Sequence, residues 1–161
     1  QGDPVKLTDA GVIQLATSDG TRSGTTDGIS MLGIFAGVQY SDSTGRPSLS
    51  PFWPASTAGT DIIAWVYDDP ETIFDVQYDN PAAGTTVQTA VGEQCDWVPT
   101  APGGSTAVGL SATKLTAIQA TQAQFQITGI AGGVDNALTD AFVTVTVRMN
   151  EAQYKAPVAS V

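Results

Sequence analysis

The 161-residue chain contains no histidine, a single cysteine, Cys95, and only six lysines and arginines in total. Without a second cysteine no internal disulfide can form, and an isolated thiol is usual in proteins that assemble in a reducing cytosol. Without histidine, an activated serine or threonine needs Lys6, Lys114 or Lys155 as its base, and none of these lies in a motif that positions it. The sequence therefore predicts a protein that is not an enzyme and uses no cofactor.

Positive charge is scarce, and long apolar runs are absent. Sixteen aspartates and glutamates give a formal net charge of -10, whereas binding to phosphates is driven by lysine and arginine. No apolar run approaches the roughly 20 residues that cross a bilayer. We therefore expect neither nucleic acid nor a membrane among the partners.

Turn-forming residues divide the chain into short apolar segments. Clusters of such residues occupy Thr8–Gly11, Thr17–Gly28, Ser41–Pro54, Asn80–Gly84, Thr100–Ser105 and Gly129–Asn136. The segments between them predict nine strands: Pro4–Leu7, Val12–Thr17, Ser30–Tyr40, Ile62–Tyr67, Thr72–Tyr78, Asp96–Val98, Ala107–Leu115, Gln124–Ile130 and Ala141–Met149. This spacing predicts an all-β fold, a compact antiparallel barrel or sandwich with long loops rich in glycine, threonine and alanine.

Two of the predicted strands alternate cleanly. In Ile73–Tyr78 the larger apolar side chains alternate with Asp75 and Gln77, and in Val143–Met149 three valines and a methionine alternate with two threonines and Arg148. Successive side chains of a strand point to opposite faces, so this pattern predicts strands with one buried and one wet face.

Domain organisation is simple. No repeat with a period of 20 to 50 residues is evident, and the sequence predicts one β-rich domain over 1–161, in one unit or in two lobes with a turn or hinge near 100–105. The segment Thr113–Gln126 is ambiguous, because its leucine, isoleucine and phenylalanine could share a helical stripe. Its many threonines and glutamines favour a strand, a loop and a strand.

An acidic corner is the densest cluster of titratable residues. Asp68, Asp69, Glu71 and Asp75 could coordinate a hard cation or form an acid/base pair, or they could form a solvated turn. Calcium loops usually carry a glycine at the sharp bend, where this chain has Pro70. We therefore expect a turn and no metal site.

Large aromatic residues mark candidate contacts. Phe52 and Trp53 lie between two prolines in a predicted loop, where they either cap the core or anchor a partner. Trp97 is typical of a core residue, and Tyr154 of a residue that docks the end of the chain.

Five motifs in fixed order resemble the capsid cement or head decoration proteins of tailed bacteriophages. These motifs are GDPVKL (Gly2–Leu7), GIFAGVQY (Gly33–Tyr40), FWPAS (Phe52–Ser56), VYDDPETIFDVQYD (Val66–Asp79) and VRMNEAQY (Val147–Tyr154). The DDP-x-x-x-F stretch and the Arg148-Met149-Asn150 end are their most specific parts. In addition, the segment Ser23–Gly37 is similar to the strand-turn-strand of lambda-type decoration proteins, whose small barrel is called a β-tulip.

The resemblance implies a structural role on the virion. It implies a homotrimer that binds the outer surface of the head, bridges copies of the major capsid protein after expansion, and is assembled in the host cytoplasm. Such relatives carry an N-terminal arm ahead of the GDPV strand, so we expect that this chain lacks the arm. The candidate interface residues are Phe52, Trp53, Tyr40, Tyr154 and Arg148.

Two other classes of function fit the same residues. One is a different virion or appendage part, such as a tail, collar or fibre domain or an adhesin. The other is a carbohydrate-binding module or hydrolase that uses Trp53 and the carboxylates of Asp68–Asp75. Fold alone does not choose among these classes.

Overall fold

The computed structural model describes residues 1–16, 31–54, 58–79, 87–98, 104–105, 107–118 and 123–154. Ten strands form nearly all of its regular structure: β1 Pro4–Leu7, β2 Ile13–Leu15, β3 Gly33–Ser41, β4 Pro47–Ser50, β5 Thr60–Tyr67, β6 Ile73–Asp79, β7 Gln94–Trp97, β8 Lys114–Ile118, β9 Phe125–Ile130 and β10 Phe142–Met149. One short 3-10 helix spans Val87–Ala90. The all-β prediction is confirmed. No helix in the described residues is long and apolar enough to cross a membrane.

Strands β1 to β5 form an open sheet in the order β2-β1-β3-β4, and β5 also pairs with β3. Val38 of β3 pairs with both Ser50 of β4 and Ala64 of β5, so β4 and β5 lie on opposite edges of β3. Every pairing in this sheet is antiparallel. Within the described residues, the outer edge of β5 pairs with no other strand.

Strands β6 to β10 close into a barrel in the order β10-β6-β8-β7-β9, and β9 pairs back with β10. The contact between β6 and β8 is parallel, with Gln77 opposite Lys114. At this contact Lys114 and Asp79 form a half-buried ion pair. The loop 131–141 between β9 and β10 is fastened by Asn136, whose side chain bonds to the backbone of Ala131 and Thr144.

The main core lies inside the barrel. Its larger fully or nearly fully buried side chains are Tyr78, Cys95, Trp97, Leu115, Phe125, Ile127, Val143, Val145, Val147 and Met149. The alternation predicted for β10 and β6 is confirmed, because the valines of β10 and Tyr78 are buried while Asp75 and Gln77 are exposed. Each buried valine or leucine contributes about 1.5–3 kcal/mol relative to an exposed one. The barrel is therefore the stable base of the molecule.

The open sheet joins the barrel through several contacts. The chain passes from β5 to β6 through the acidic corner, and Met31, just before β3, forms a parallel bridge with Ala152, just after β10. Met31 is buried in the barrel core, and Ile34 of β3 packs against that core. These contacts fix the sheet to one end of the barrel.

Two segments of the chain differ from the predicted strands. The turn-rich stretch Ser41–Pro54 contains β4, which the sequence analysis missed, and the strand predicted over Ala107–Leu115 is wrong for most of its length. Residues 107–110 form a turn that returns Leu110 to Ser105. Gly109 adopts a positive φ of 70° in this turn and lies so close to Pro51 that a side chain would clash. Apolar composition alone therefore misplaced the strand.

Of the remaining predictions about the fold, one agrees with the structure and others concern residues that the structure does not describe. The segment Thr113–Gln126 contains all of β8 and the beginning of β9, which agrees with the strand, loop and strand interpretation. Residues 119–122 between them, the turn cluster Thr17–Gly28 and most of the hinge near 100–105 lie outside the described residues. The division into two lobes stays a prediction.

Candidate interaction surfaces of the open sheet

The open sheet carries an apolar face that is largely exposed in the described part of the chain. Leu49 of β4 and Ile63 of β5 both lie opposite Gln39 of β3, so their side chains share one face. Trp65 and Tyr67 follow Ile63 at alternate positions and extend the same face. The exposed fractions of Leu49, Ile63, Trp65 and Tyr67 are 72%, 54%, 44% and 54%. We call these four side chains the outer face.

A tight hairpin between β3 and β4 places Leu49. Asp42 accepts hydrogen bonds from the Thr44 hydroxyl at 2.6 Å and from the backbone N–H groups of Thr44 and Arg46 at 2.8 and 3.0 Å. These hydrogen bonds, chiefly that of the Thr44 hydroxyl, lower the pKa of the Asp42 carboxyl. An aspartate that caps its own turn in this way is the usual start of a short loop. The hairpin thereby sets the register of β4 against β3.

The opposite side of the open sheet forms a groove. Its volume is about 780 Å³, and its lining includes Val5, Ile13, Phe35, Trp53 and Ile62. These residues come from four strand-forming regions and the loop after β4, and most of them are apolar. The open sheet is therefore apolar on both of its faces.

Three of the predicted interface residues meet at this groove. Phe52 and Trp53 line it, and the Trp53 ring packs edge-on against Tyr40 with 5.4 Å between ring centroids. The Ser50 hydroxyl holds the loop by bonding to the backbone N–H and carbonyl of Phe52. Trp53 remains 43% exposed. Phe52 is half-buried and Trp53 stays accessible, so the choice between capping the core and anchoring a partner stays open.

The other two predicted interface residues lie elsewhere, and neither lines the groove. Arg148 donates hydrogen bonds to Gln126 Oε1 at 2.8 and 3.0 Å and lies 3.4 Å from a Glu71 carboxylate oxygen. These contacts hold β10 to β9 and to the acidic corner. Tyr154 is exposed, and its neighbour Gln153 bonds to the backbone N–H and carbonyl of Leu7.

The acidic corner forms a turn. The Asp69 carboxylate accepts a hydrogen bond from the N–H of Glu71 at 2.9 Å, and the Asp69 carbonyl accepts one from the N–H of Thr72 at 3.1 Å. Asp68 and Asp69 are exposed. Across the part of the chain that the structure describes, no group of three or more histidine, cysteine, aspartate or glutamate side chains could hold a metal ion. These hydrogen bonds describe a turn that connects β5 to β6.

Cys95 lies inside the barrel and opposite Phe125 of β9. Burial, with smaller contributions from the carboxylates of Asp96 and Glu93, raises the pKa of its thiol to about 12. The thiolate is the nucleophilic form of cysteine. The folded chain therefore keeps this residue as an apolar core side chain.

The same shift predicts a loss of stability at alkaline pH. The thiol ionises near pH 9 in the unfolded chain and near pH 12 in the folded one, so between these values only the unfolded state has released the proton. The free energy of unfolding therefore falls as the pH rises from 9 to 12 and is unaffected below 9. At about pH 10.5 we expect a loss on the order of 2 kcal/mol. Urea titrations of the native chain and of Cys95→Ala measure it, and equal pH slopes in the two chains would contradict the prediction.

The outer face was not predicted from the sequence. β5 appears there only as a continuous apolar run, Ile62–Tyr67, which does not indicate which side chains are covered. The run itself is informative, because a strand that is apolar at every position needs cover on both of its faces.

No protein-family model matches the chain, and neither a curated protein nor a solved structure matches it.

Proposed function

We propose that this chain is a structural decoration protein of a tailed-phage capsid. It binds the outer surface of the head as a homotrimer and stabilises the lattice of the major capsid protein. The observation that carries the proposal is the open sheet, which exposes large apolar side chains on both faces and, within the described residues, leaves the outer edge of β5 unpaired. Apolar surfaces of this kind mark sites of protein association. The five motifs that resemble decoration proteins supply the identity of the partner.

The two halves of the fold suit this role. A closed barrel has no strand edge to offer and supplies stability, while the open sheet supplies surface for contacts. A protein that binds the finished lattice and not the separate subunits stabilises the lattice by mass action, and more strongly when each trimer contacts several subunits. The aromatic side chains of Phe52 and Trp53 at the groove are partly exposed, so both can contact a partner.

Heads with and without the protein test the proposal. Heads of the phage that encodes the chain should assemble without it but release their DNA at a temperature several degrees lower, because the contacts that brace the lattice are missing. DNA release can be followed with an intercalating dye during heating. Adding back the purified chain should restore the native release temperature, and bovine serum albumin at the same concentration serves as the control.

Equal release temperatures with and without the chain would reject the stabilising role. Sedimentation of the chain with purified tails and not with heads would favour a tail, collar or fibre part instead. Negative-stain images of saturated heads should show the added density on the outside of the shell, in groups of three.

A further inference from the structure

We propose that a second copy of this chain covers the outer face formed by Leu49, Ile63, Trp65 and Tyr67. The proposal deepens the decoration function and rests on it for the number of copies, but it assigns the surface through which copies meet. Four observations support it: the pattern of burial, the area, the charge and the free strand edge.

Burial is the first observation. A sheet that is apolar on both sides is normally covered on both sides. The barrel approaches the outer face only near Tyr67, whose ring lies 6.4 Å from that of Phe74 and which is still 54% exposed. Ile63 and Leu49 lie further along the sheet and are more than half exposed. The outer face is therefore a sheet surface that still needs a partner.

Area is the second observation. Side chains of this size carry about 150–250 Å² each, so at about half exposure the four open roughly 400 Å² in all. A standard interface buries about 800 Å² on each partner, of which somewhat more than half is apolar. The outer face thus supplies most of the apolar centre of one such interface. Polar residues around it can supply the rim.

Charge selects the partner. Gln39 and Gly37 lie between the four apolar side chains, and none of these six residues is charged. The carboxylate of Asp61 borders this face at one end, where it accepts a hydrogen bond from the Ser41 hydroxyl. Two copies with a net charge of -10 each repel one another, and this repulsion is smallest where the contact is centred on uncharged side chains. A partner recognised by charge would instead be basic and would be drawn to acidic surfaces such as the Asp68–Asp69 corner. A neutral apolar face on an acidic chain therefore fits another copy of the same chain.

The free edge of β5 adds a reason why the cover is needed before the chain reaches a head. A long apolar edge strand without a protective lysine or proline invites disordered pairing and aggregation. β5 contains neither, and its one charged residue, Asp61, lies near its start. A partner that already occupies the outer face also shields the adjoining edge of β5 from pairing with other chains. Another copy of this chain is available as such a partner as soon as the chain is made.

Lysine substitutions test the proposal. Ile63→Lys and Leu49→Lys each place a charge at the centre of the outer face, at positions exposed enough for the chain to fold. Val134→Lys makes the same change in charge at a fully exposed position of the loop 131–141 and serves as the matched control. Light scattering coupled to size-exclusion chromatography, over about 1 to 100 μM, measures association, and circular dichroism melting shows whether each variant is folded. We expect the native chain and Val134→Lys to associate equally, and the other two to dissociate with a Kd at least 100-fold higher.

Each outcome is decisive. A native chain that is monomeric up to about 100 μM would overturn the proposal, as would association that neither Ile63→Lys nor Leu49→Lys weakens. Loss of head binding by Ile63→Lys, with association intact, would assign the face to the capsid and overturn the proposal while leaving the decoration function in place. Association that depends on Ile63, in a chain that binds no heads, would support the proposal and reject the decoration function.

Discussion

Replacing Trp97 by alanine is expected to lower the free energy of unfolding by about 3–5 kcal/mol, the cost of a large cavity in a packed core. Trp97 is fully buried inside the barrel and lies opposite Leu115 of β8. The closed ring of strands prevents its neighbours from collapsing into the space. A single domain has a total stability of about 5–15 kcal/mol, so this variant should lie near the limit of folding. Urea denaturation followed by circular dichroism measures the change.

Phenylalanine at the same position provides the control. The indole N–H of Trp97 is buried and has no hydrogen-bond partner among the described residues, and an unpaired buried donor costs about 1–3 kcal/mol. Trp97→Phe removes this donor while it retains most of the apolar volume, so it should destabilise the chain by less than half as much as Trp97→Ala. A loss of less than about 1 kcal/mol in the alanine variant would show that the barrel repacks around the site.

Replacing Gly33 by alanine should have the second largest effect. A Cβ atom at Gly33 would lie 2.1 Å from the carbonyl oxygen of Tyr67 and 2.8 Å from Val66 Cγ1. Backbone cannot yield as a flexible side chain does, so β3 and β5 must separate at this end. We expect a loss of about 2–3 kcal/mol, the upper range for overpacking, together with weaker association, because Tyr67 belongs to the outer face. Urea denaturation and light scattering measure the two effects.

Gly132→Ala is the matched control for this substitution. No atom lies within 4 Å of the position that its Cβ would occupy, so its free energy of unfolding should change by no more than about 0.5 kcal/mol. If the two alanine variants unfold at the same urea concentration, the close approach of β3 to Tyr67 does not constrain the sheet.

Alternation made parts of the fold predictable. The period of two in β6 and β10 identified both strands and their buried faces, because each has one side in the barrel and one in water. The strand β4 was missed for a physical reason: Pro47-Ser48-Leu49-Ser50 has one large apolar residue, and its side chain is exposed. A strand held by its hairpin and backbone pairing leaves little trace in the pattern of hydrophobicity.

The candidate surfaces were predictable only in part. Phe52 and Trp53 were singled out because large aromatics between prolines are unusual in a loop, and their role as contact residues stays a prediction. The packing of Tyr40 against Trp53 is a feature that only the structure shows. The run Ile62–Tyr67 shows that β5 is apolar at every position, but which of its side chains stay exposed depends on the strands next to β5 and on where the barrel lies. Both are set by contacts between distant parts of the chain, which the local sequence does not show.

The hydrogen bonds of Asn136 make the loop 131–141 a suitable place to insert a foreign peptide. β6 runs from Ile73, beside the acidic corner, to Asp79, which pairs with Phe142 at the far end of the barrel. Seven residues of strand span roughly 20 Å, which separates the loop region from the outer face. Asn136 closes the loop independently of Gly132 and Gly133, so a peptide inserted between these glycines leaves the closure in place. A foreign epitope carried there would lie away from the outer face, the surface through which copies are proposed to meet.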